Sequence, residues 1–242
     1  VATFVDRLDP AMPIPEPLRL VLAREALRHG ALDLAARDAA ALRPSPDRLA
    51  LLGGLAQARG DYAAAARDYL AAGDLAWLEG EVDRLTASGK VEQALALQES
   101  IVARLTKDRT EPDVLAEADF DLGRIEQAQA YKTWILFPGH RAHEVAAGRA
   151  YARAVALAPF RERYLIALGN QQLNLSELVA ATRTFERARD ADPTSVEALT
   201  GLGDAALRRG DRATAASYLA LARARAPESE SVQILTRRLR LR

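Results

Sequence analysis

The chain has 242 residues, 49 % of them hydrophobic and 27 % charged, with Lys+Arg and Asp+Glu each at 33, so the formal net charge is zero. That composition belongs to a folded protein rather than a disordered one, while the charge balance and the 5 % aromatic content remove the electrostatic and stacking basis for nucleic-acid binding. Cysteine is absent, which excludes disulfides and thiolate-bound zinc, and no apolar run approaches the ~18 residues of a membrane span.

Residues 1–16 contain Pro10, Pro13 and Pro15, with Pro17 directly after. This spacing opposes helix and favours an extended leader or linker. The chain opens at Val1 without a signal-like segment, which suggests an excised domain or a processed product. Lysine occurs only at Lys90, Lys107 and Lys132 beside abundant arginine and alanine, a bias that fits a GC-rich, bacterial genome.

From residue 17 the apolar spacing changes to three and four, as in Leu18, Leu22 and Ala26, and predicts helices over 17–28, 31–42, 46–58, 61–72, 75–88 and 90–106. Gly30, Gly60 and Gly89 mark turns, so 17–107 reads as three helical hairpins. The pattern breaks over 108–160. Pro112 stands in the first turn of a helix whose apolar positions run through Val114, Ala118, Leu122 and Ile125 toward Trp134. Ile135–Gly139 interrupts, and a second helix is expected from about 140 to 157. The first helix reads as too long and without a Leu-Gly pair, so a long irregular hairpin is expected. Residues 161–227 form two regular hairpins, with a turn at Gly210. Residues 228–242 form a last helix with a basic tail, Arg237-Arg238-Leu239-Arg240-Leu241-Arg242, which would cap the final apolar face.

Pro159, Pro193 and Pro227 recur every 34 residues. Leu165-x-x-Leu168-Gly169 and Ala181-x-x-x-Phe185 return as Leu199-x-x-Leu202-Gly203 and Ala215-x-x-x-Leu219. A third unit at 46–73 has Leu49-x-x-Leu52-Gly53 and Ala65-x-x-x-Tyr69 without a closing proline. The small residue beside leucine lets the two helices of a hairpin approach, and the proline stops the second helix. These residues resemble the tetratricopeptide repeat (TPR) family, whose 34-residue unit is a helix–turn–helix with this spacing. The resemblance covers nearly the whole chain after residue 16. It implies an all-α, right-handed superhelical solenoid of about six hairpins plus a capping helix.

Two local patterns suggest chemistry and do not carry it. His140-Arg141-Ala142-His143-Glu144 has neither order of the helical zinc motifs, so no metal site is assigned. Gly201-Leu202-Gly203-Asp204-Ala205-Ala206 satisfies a dinucleotide string but lies inside a predicted helix, where the repeat explains it. Asn174-Leu175-Ser176 is a glycosylation sequon by pattern alone. No cofactor is called for.

The resemblance further implies a ligand groove lined by the first helix of each hairpin. By register its residues are Arg24, Arg28, Gln57, Glu79, Asp83, Asp113, Glu117, Asp121, Arg163, Ile166, Asn170, Glu197, Thr200, Asp204 and Arg208. The middle ones are acidic and the outer ones basic, which would favour an extended ligand with apolar anchors and a basic centre. The family's carboxylate clamp is not matched: Asn170 fits, but Ile166 and Gly201 replace its lysine and second asparagine. Ala167 and Gly201 likewise replace the asparagine ladder of sugar-transferase superhelices.

The function expected is a non-catalytic scaffold that binds another protein or an extended peptide, with no nucleic acid and no direct membrane insertion. The alternatives are a soluble accessory domain of a larger membrane-associated assembly, of the cell-envelope polysaccharide or secretion kind, and an enzyme. A buried polar cluster around His140, His143 and Glu144 would favour the enzyme. The compartment, cytoplasmic or extracytoplasmic, and the oligomeric state are not encoded in these features.

Overall fold

The computed structural model describes residues 14–132 and 138–241, which hold thirteen α-helices and no strand. Most of the Pro-rich leader, the Trp134 and Ile135–Phe137 segment, and Arg242 lie outside the described residues. The chain divides into two compact units, Val1–Arg104 and Leu105–Arg242.

The first unit contains α1 (Glu16–Arg28), α2 (Leu32–Ala40), α3 (Pro46–Ala58), α4 (Tyr62–Ala72), α5 (Leu75–Ala87) and most of α6 (Val91–Lys107). The starts of three of these helices are set locally. Ser45, Asp61 and Asp74 accept hydrogen bonds from the backbone N–H groups of Arg48, Ala64 and Trp77, and so satisfy donors that a first turn leaves open. Helix α1 pairs with α2 and α3 with α4. The core of these hairpins is mostly small: Ala23, Ala26, Ala35 and Ala39 are buried beside Leu51 and Leu55. Alanine at the crossing points brings the helix axes close without loss of helix propensity. The second helix proves shorter than expected, ending at Ala40 rather than 42, because Ala41 and Leu42 turn toward Pro44.

The second unit contains α7 (Pro112–Lys132), α8 (Pro138–Leu157), α9 (Glu162–Asn174), α10 (Leu178–Ala191), α11 (Val196–Arg208), α12 (Arg212–Arg225) and α13 (Glu230–Leu241). Pro159, Pro193 and Pro227 each stand two residues past the end of α8, α10 and α12. That is where a residue lacking an N–H costs the helix nothing and prevents its continuation. The core side chains are larger here. Tyr151, Tyr164, Leu165 and Phe185 are almost fully buried, and a wholly buried phenylalanine stabilises by roughly 1.5–3 kcal/mol relative to an exposed one.

One expectation is corrected. The hairpin over 108–160 is long but not irregular, and its first helix does carry the Leu-Gly pair, as Leu122-Gly123. A Cβ on Gly123 would lie 2.5 Å from the Tyr151 ring, as one on Gly169 would lie 2.7 Å from Phe185 and one on Gly53 2.8 Å from Tyr69. The same glycine-on-ring contact closes all three hairpins. Gly123 and Tyr151 are 28 residues apart where the other pairs are 16 apart, so the two helices are lengthened at their shared tip. Polar pairs also tie these helices to one another. The Arg153 guanidinium donates to the buried Asp119 carboxylate at 2.6 and 2.8 Å. Tyr151 donates to Gln127, Gln127 to Gln171, and Gln171 to the Glu144 carbonyl, which links α7, α8 and α9. Gly203 also departs from the expected role. A Cβ there would meet Leu235 of α13 at 2.6 Å, while the other helix of its own hairpin stands back at 3.5 Å.

Candidate functional site

The groove residues fall into the two units and are described within each. In the first unit Arg24 is exposed and pairs with Asp47 at 2.6 Å, while Arg28 pairs with Glu25 on its own helix. Gln57 accepts a hydrogen bond from the Trp77 indole N–H at 3.0 Å. That indole stacks on Tyr69, with ring centroids 4.2 Å apart. Glu79 and Asp83 are exposed on α5. The stacked pair and its glutamine were absent from the predicted set except for Gln57. Tyr69 holds a repeat position in the sequence but Trp77 does not, and only the fold shows the two rings stacked.

In the second unit the charges are largely matched. Asp113 is exposed and lies 4.0 Å from Arg161. Glu117 accepts from Arg163 and, at 2.6 Å, from the Tyr164 hydroxyl. The Arg163 guanidinium also lies over the Phe120 and Tyr164 rings, 5.0 Å from each centroid, an arrangement that favours a cation on aromatic faces. The Tyr164 hydroxyl donates to Glu117, and burial raises the phenol above its ordinary range. Asp121 pairs with Arg124 at 3.0 Å. Ile166 is half-buried against the core.

The remaining residues converge. Asn170 from α9, together with Glu197, Thr200 and Asp204 from α11, lines a cleft of ≈ 240 Å³ with Ser231, Ile234, Leu235 and Arg238 of α13. Thr200 is buried, and its hydroxyl donates back to the Val196 and Glu197 carbonyls, so it shapes the wall more than it offers a bond. Asp204 is 8 % exposed and accepts from Arg208 at 3.1 Å and Arg238 at 2.5 Å. Arg208 also donates to the Leu173 carbonyl at 2.7 Å, capping the last turn of α9. Asn170 and Glu197 are exposed polar groups of this cleft, as is Arg238. Helix α13 was expected as a cap; its contribution of Arg238 and Ile234 to this cleft was not foreseen, since register alone gives no position to a helix beyond the last repeat.

The histidines of the second unit are engaged with neighbouring polar groups. His143 Nδ1 lies 2.6 Å from the buried Glu126 carboxylate and ties α8 to α7. His140 Nδ1 lies 2.8 Å from the Ala130 carbonyl and so carries the proton, with Nε2 3.4 Å from Glu144. Among the described residues no group of three or more His, Asp or Glu side chains is placed to hold a metal ion. No helix among them is long and apolar enough to cross a membrane. The Gly201–Ala206 string lies inside α11 and is buried throughout, with Gly201 against the Phe185 ring. It therefore cannot present the strand-to-helix turn that cradles a pyrophosphate.

No protein-family model matches the chain, and no curated protein is detectably similar to it in sequence. Solved structures are similar in fold. YrrB, described as a TPR protein with an unusual peptide-binding site, has a TM-score of 0.53 and 13 % identity, over 92 % of this chain and 92 % of that one. TTC0263, a TPR protein of Thermus thermophilus, has a TM-score of 0.52 and 16 % identity, over 94 % and 100 %. PilW, described as a type IV pilus biogenesis factor, has a TM-score of 0.54 and 15 % identity, over 91 % and 98 %. The chain thus has the all-α helical-repeat fold of TPR proteins.

Proposed function

We propose that this protein is a non-catalytic scaffold that binds an extended segment of another protein on the face formed by the first helices of its hairpins. The observation that carries this reading is the cleft between α9, α11 and α13, where four residues chosen by register, Asn170, Glu197, Thr200 and Asp204, line one space. Its chemistry suits a peptide. Asn170 offers both a donor and an acceptor to a backbone, Glu197 offers a carboxylate, and Ile234 and Leu235 offer an apolar wall. The likeness to YrrB, whose description names a peptide-binding site, supports the same reading.

The test is a peptide array on the intact chain, repeated with Asn170→Ala and Glu197→Ala. Each substitution is expected to weaken the captured peptides about five-fold or more, the loss of one buried-on-binding hydrogen bond. Capture of peptides that neither substitution alters would overturn the assignment of this cleft. Binding of basic-centred peptides should fall as salt rises from ~0.05 to ~0.5 M, because screening shortens the reach of exposed carboxylates. A second reading, an accessory part of a membrane-associated assembly, is supported by the likeness to PilW. It predicts co-purification with a membrane fraction of the native host, and purely soluble fractionation would count against it.

A further inference from the structure

Helix α13 has a second cleft on its other side. Its residues 231, 234, 235 and 238 face the cleft described above, whereas Val232, Gln233, Thr236 and Arg237 face a cleft of ≈ 400 Å³ shared with Arg223 and Pro227 of the α12 end. The two faces differ in charge. On the first, Arg238 is neutralised by Asp204 at 2.5 Å. On the second, Arg223 and Arg237 have no carboxylate within 4.0 Å among the described residues.

Arg223 is exposed, and one hydrogen bond orients its guanidinium. It donates to the Thr236 hydroxyl at 2.9 Å, and that hydroxyl in turn donates to the Val232 carbonyl at 2.7 Å. Because the hydroxyl proton is committed to the helix, its oxygen can only accept, and it fixes the direction of the guanidinium. The side chain of Gln233 is fixed too, by donation to the Glu228 carbonyl at 3.2 Å. Two exposed guanidinium groups therefore line one open cleft, with N–H donors that no carboxylate occupies among the described residues. Arginine forks of this kind match oxyanions through paired, charge-assisted hydrogen bonds.

We infer that the cleft between α12 and α13 is a phosphomonoester site, in which Arg223 and Arg237 bind the dianion. Two unmatched positive charges complement a group of about −1.5 to −2 better than a single carboxylate. The dianion can be free phosphate or a phosphorylated side chain, and the chemistry of recognition is the same. This site is separate from the peptide cleft and does not depend on it.

The experiment is titration calorimetry on the intact chain with inorganic phosphate, with a phosphoserine peptide, and with the same peptide carrying serine or glutamate. Phosphate-bearing ligands are expected to bind, and the serine and glutamate peptides to bind at least about tenfold more weakly. Arg223→Gln and Arg237→Gln should each weaken binding about tenfold or more, with circular dichroism unchanged, whereas Arg183→Gln, on α10 and outside the cleft, should leave it unaltered. Tighter binding of the phosphopeptide than of phosphate identifies a side chain as the source, and equal binding identifies the free ion. Absence of phosphate-dependent binding, equal binding of the glutamate peptide, or binding that survives both arginine substitutions would each overturn the inference.

Discussion

At the scale of single residues, the hairpin turns share one device. Gly30, Gly60, Gly89 and Gly210 all have φ between 73° and 86°, and the N–H that follows each bonds to the carbonyl five residues back. Ser176, at φ 64°, does the same work without being glycine: the Glu177 N–H bonds to the Gln172 carbonyl at 2.8 Å. That conformation costs an L-residue about 1–2 kcal/mol, and glycine loses part of this advantage through its freer unfolded state. Ser176→Gly should therefore stabilise by about 1 kcal/mol or less, seen as a raised midpoint in chemical denaturation. Overpacking acts in the opposite direction. Gly123→Leu and Gly169→Leu must displace the Tyr151 and Phe185 rings, and each should destabilise by roughly 1–3 kcal/mol or more; an unchanged midpoint would refute the contact as the cause. A third residue sets a pH dependence. The Thr194 hydroxyl at 2.6 Å, and then its N–H at 2.8 Å, hold the Asp192 carboxyl below its ordinary 3.8. A depressed folded pKa contributes stability above the unfolded value and loses it as pH falls through the folded value. The melting temperature of the native protein should thus fall more steeply below pH 3.8 than that of Asp192→Asn.

At the scale of elements, the repeat spacing reveals the regular hairpins and conceals the long one. Pro159, Pro193 and Pro227 mark the ends of α8, α10 and α12, because each of these ends depends on a local backbone property. Leu122-Gly123 stands in the same role, yet the extension at the α7–α8 tip moves it 46 residues before Gly169, out of step with the 34-residue period. Only the ring contact to Tyr151 shows the equivalence. The pairing of charges was equally hidden. Arg163 with Glu117 and Arg238 with Asp204 join residues 46 and 34 positions apart, and formal charge along a register does not say which groups cancel. The last helix tests this level directly. Leu235 is 2 % exposed and fills the space above Gly203. Leu235→Ala should cost about 2–5 kcal/mol. It should also loosen α13, so that proteolysis begins at the C-terminal end. Cleavage beginning in α9 or α10 instead would place the weak point elsewhere.

At the scale of the molecule, the two units differ in what fills them. Of the largest fully buried side chains, Leu78 and Ile101 belong to the first unit, and Tyr151, Tyr164, Phe185, Leu165, Leu202, Leu235, Val232, Gln171 and Asp119 to the second. Stability in a repeat array is close to a sum of local hairpin and neighbour terms, so it need not be even along the chain. Native-state hydrogen exchange should accordingly show slower amides in α9 to α11 than in α1 to α4. Equal protection throughout would mean that the array unfolds as one cooperative body. The fold class and the hairpin number were legible because periodicity records them. The division inside α6 was not, because no break in the apolar spacing marks it.

Helix α13 is a common wall for two clefts of opposite character, acid-bearing on one face and arginine-bearing on the other. A ligand that moves this helix while entering one cleft changes the energy of entering the other. Thermodynamic linkage then requires the effect to be mutual and equal in magnitude. Were both proposed clefts to take ligands, the terminal helix would act as a lever between the two binding events.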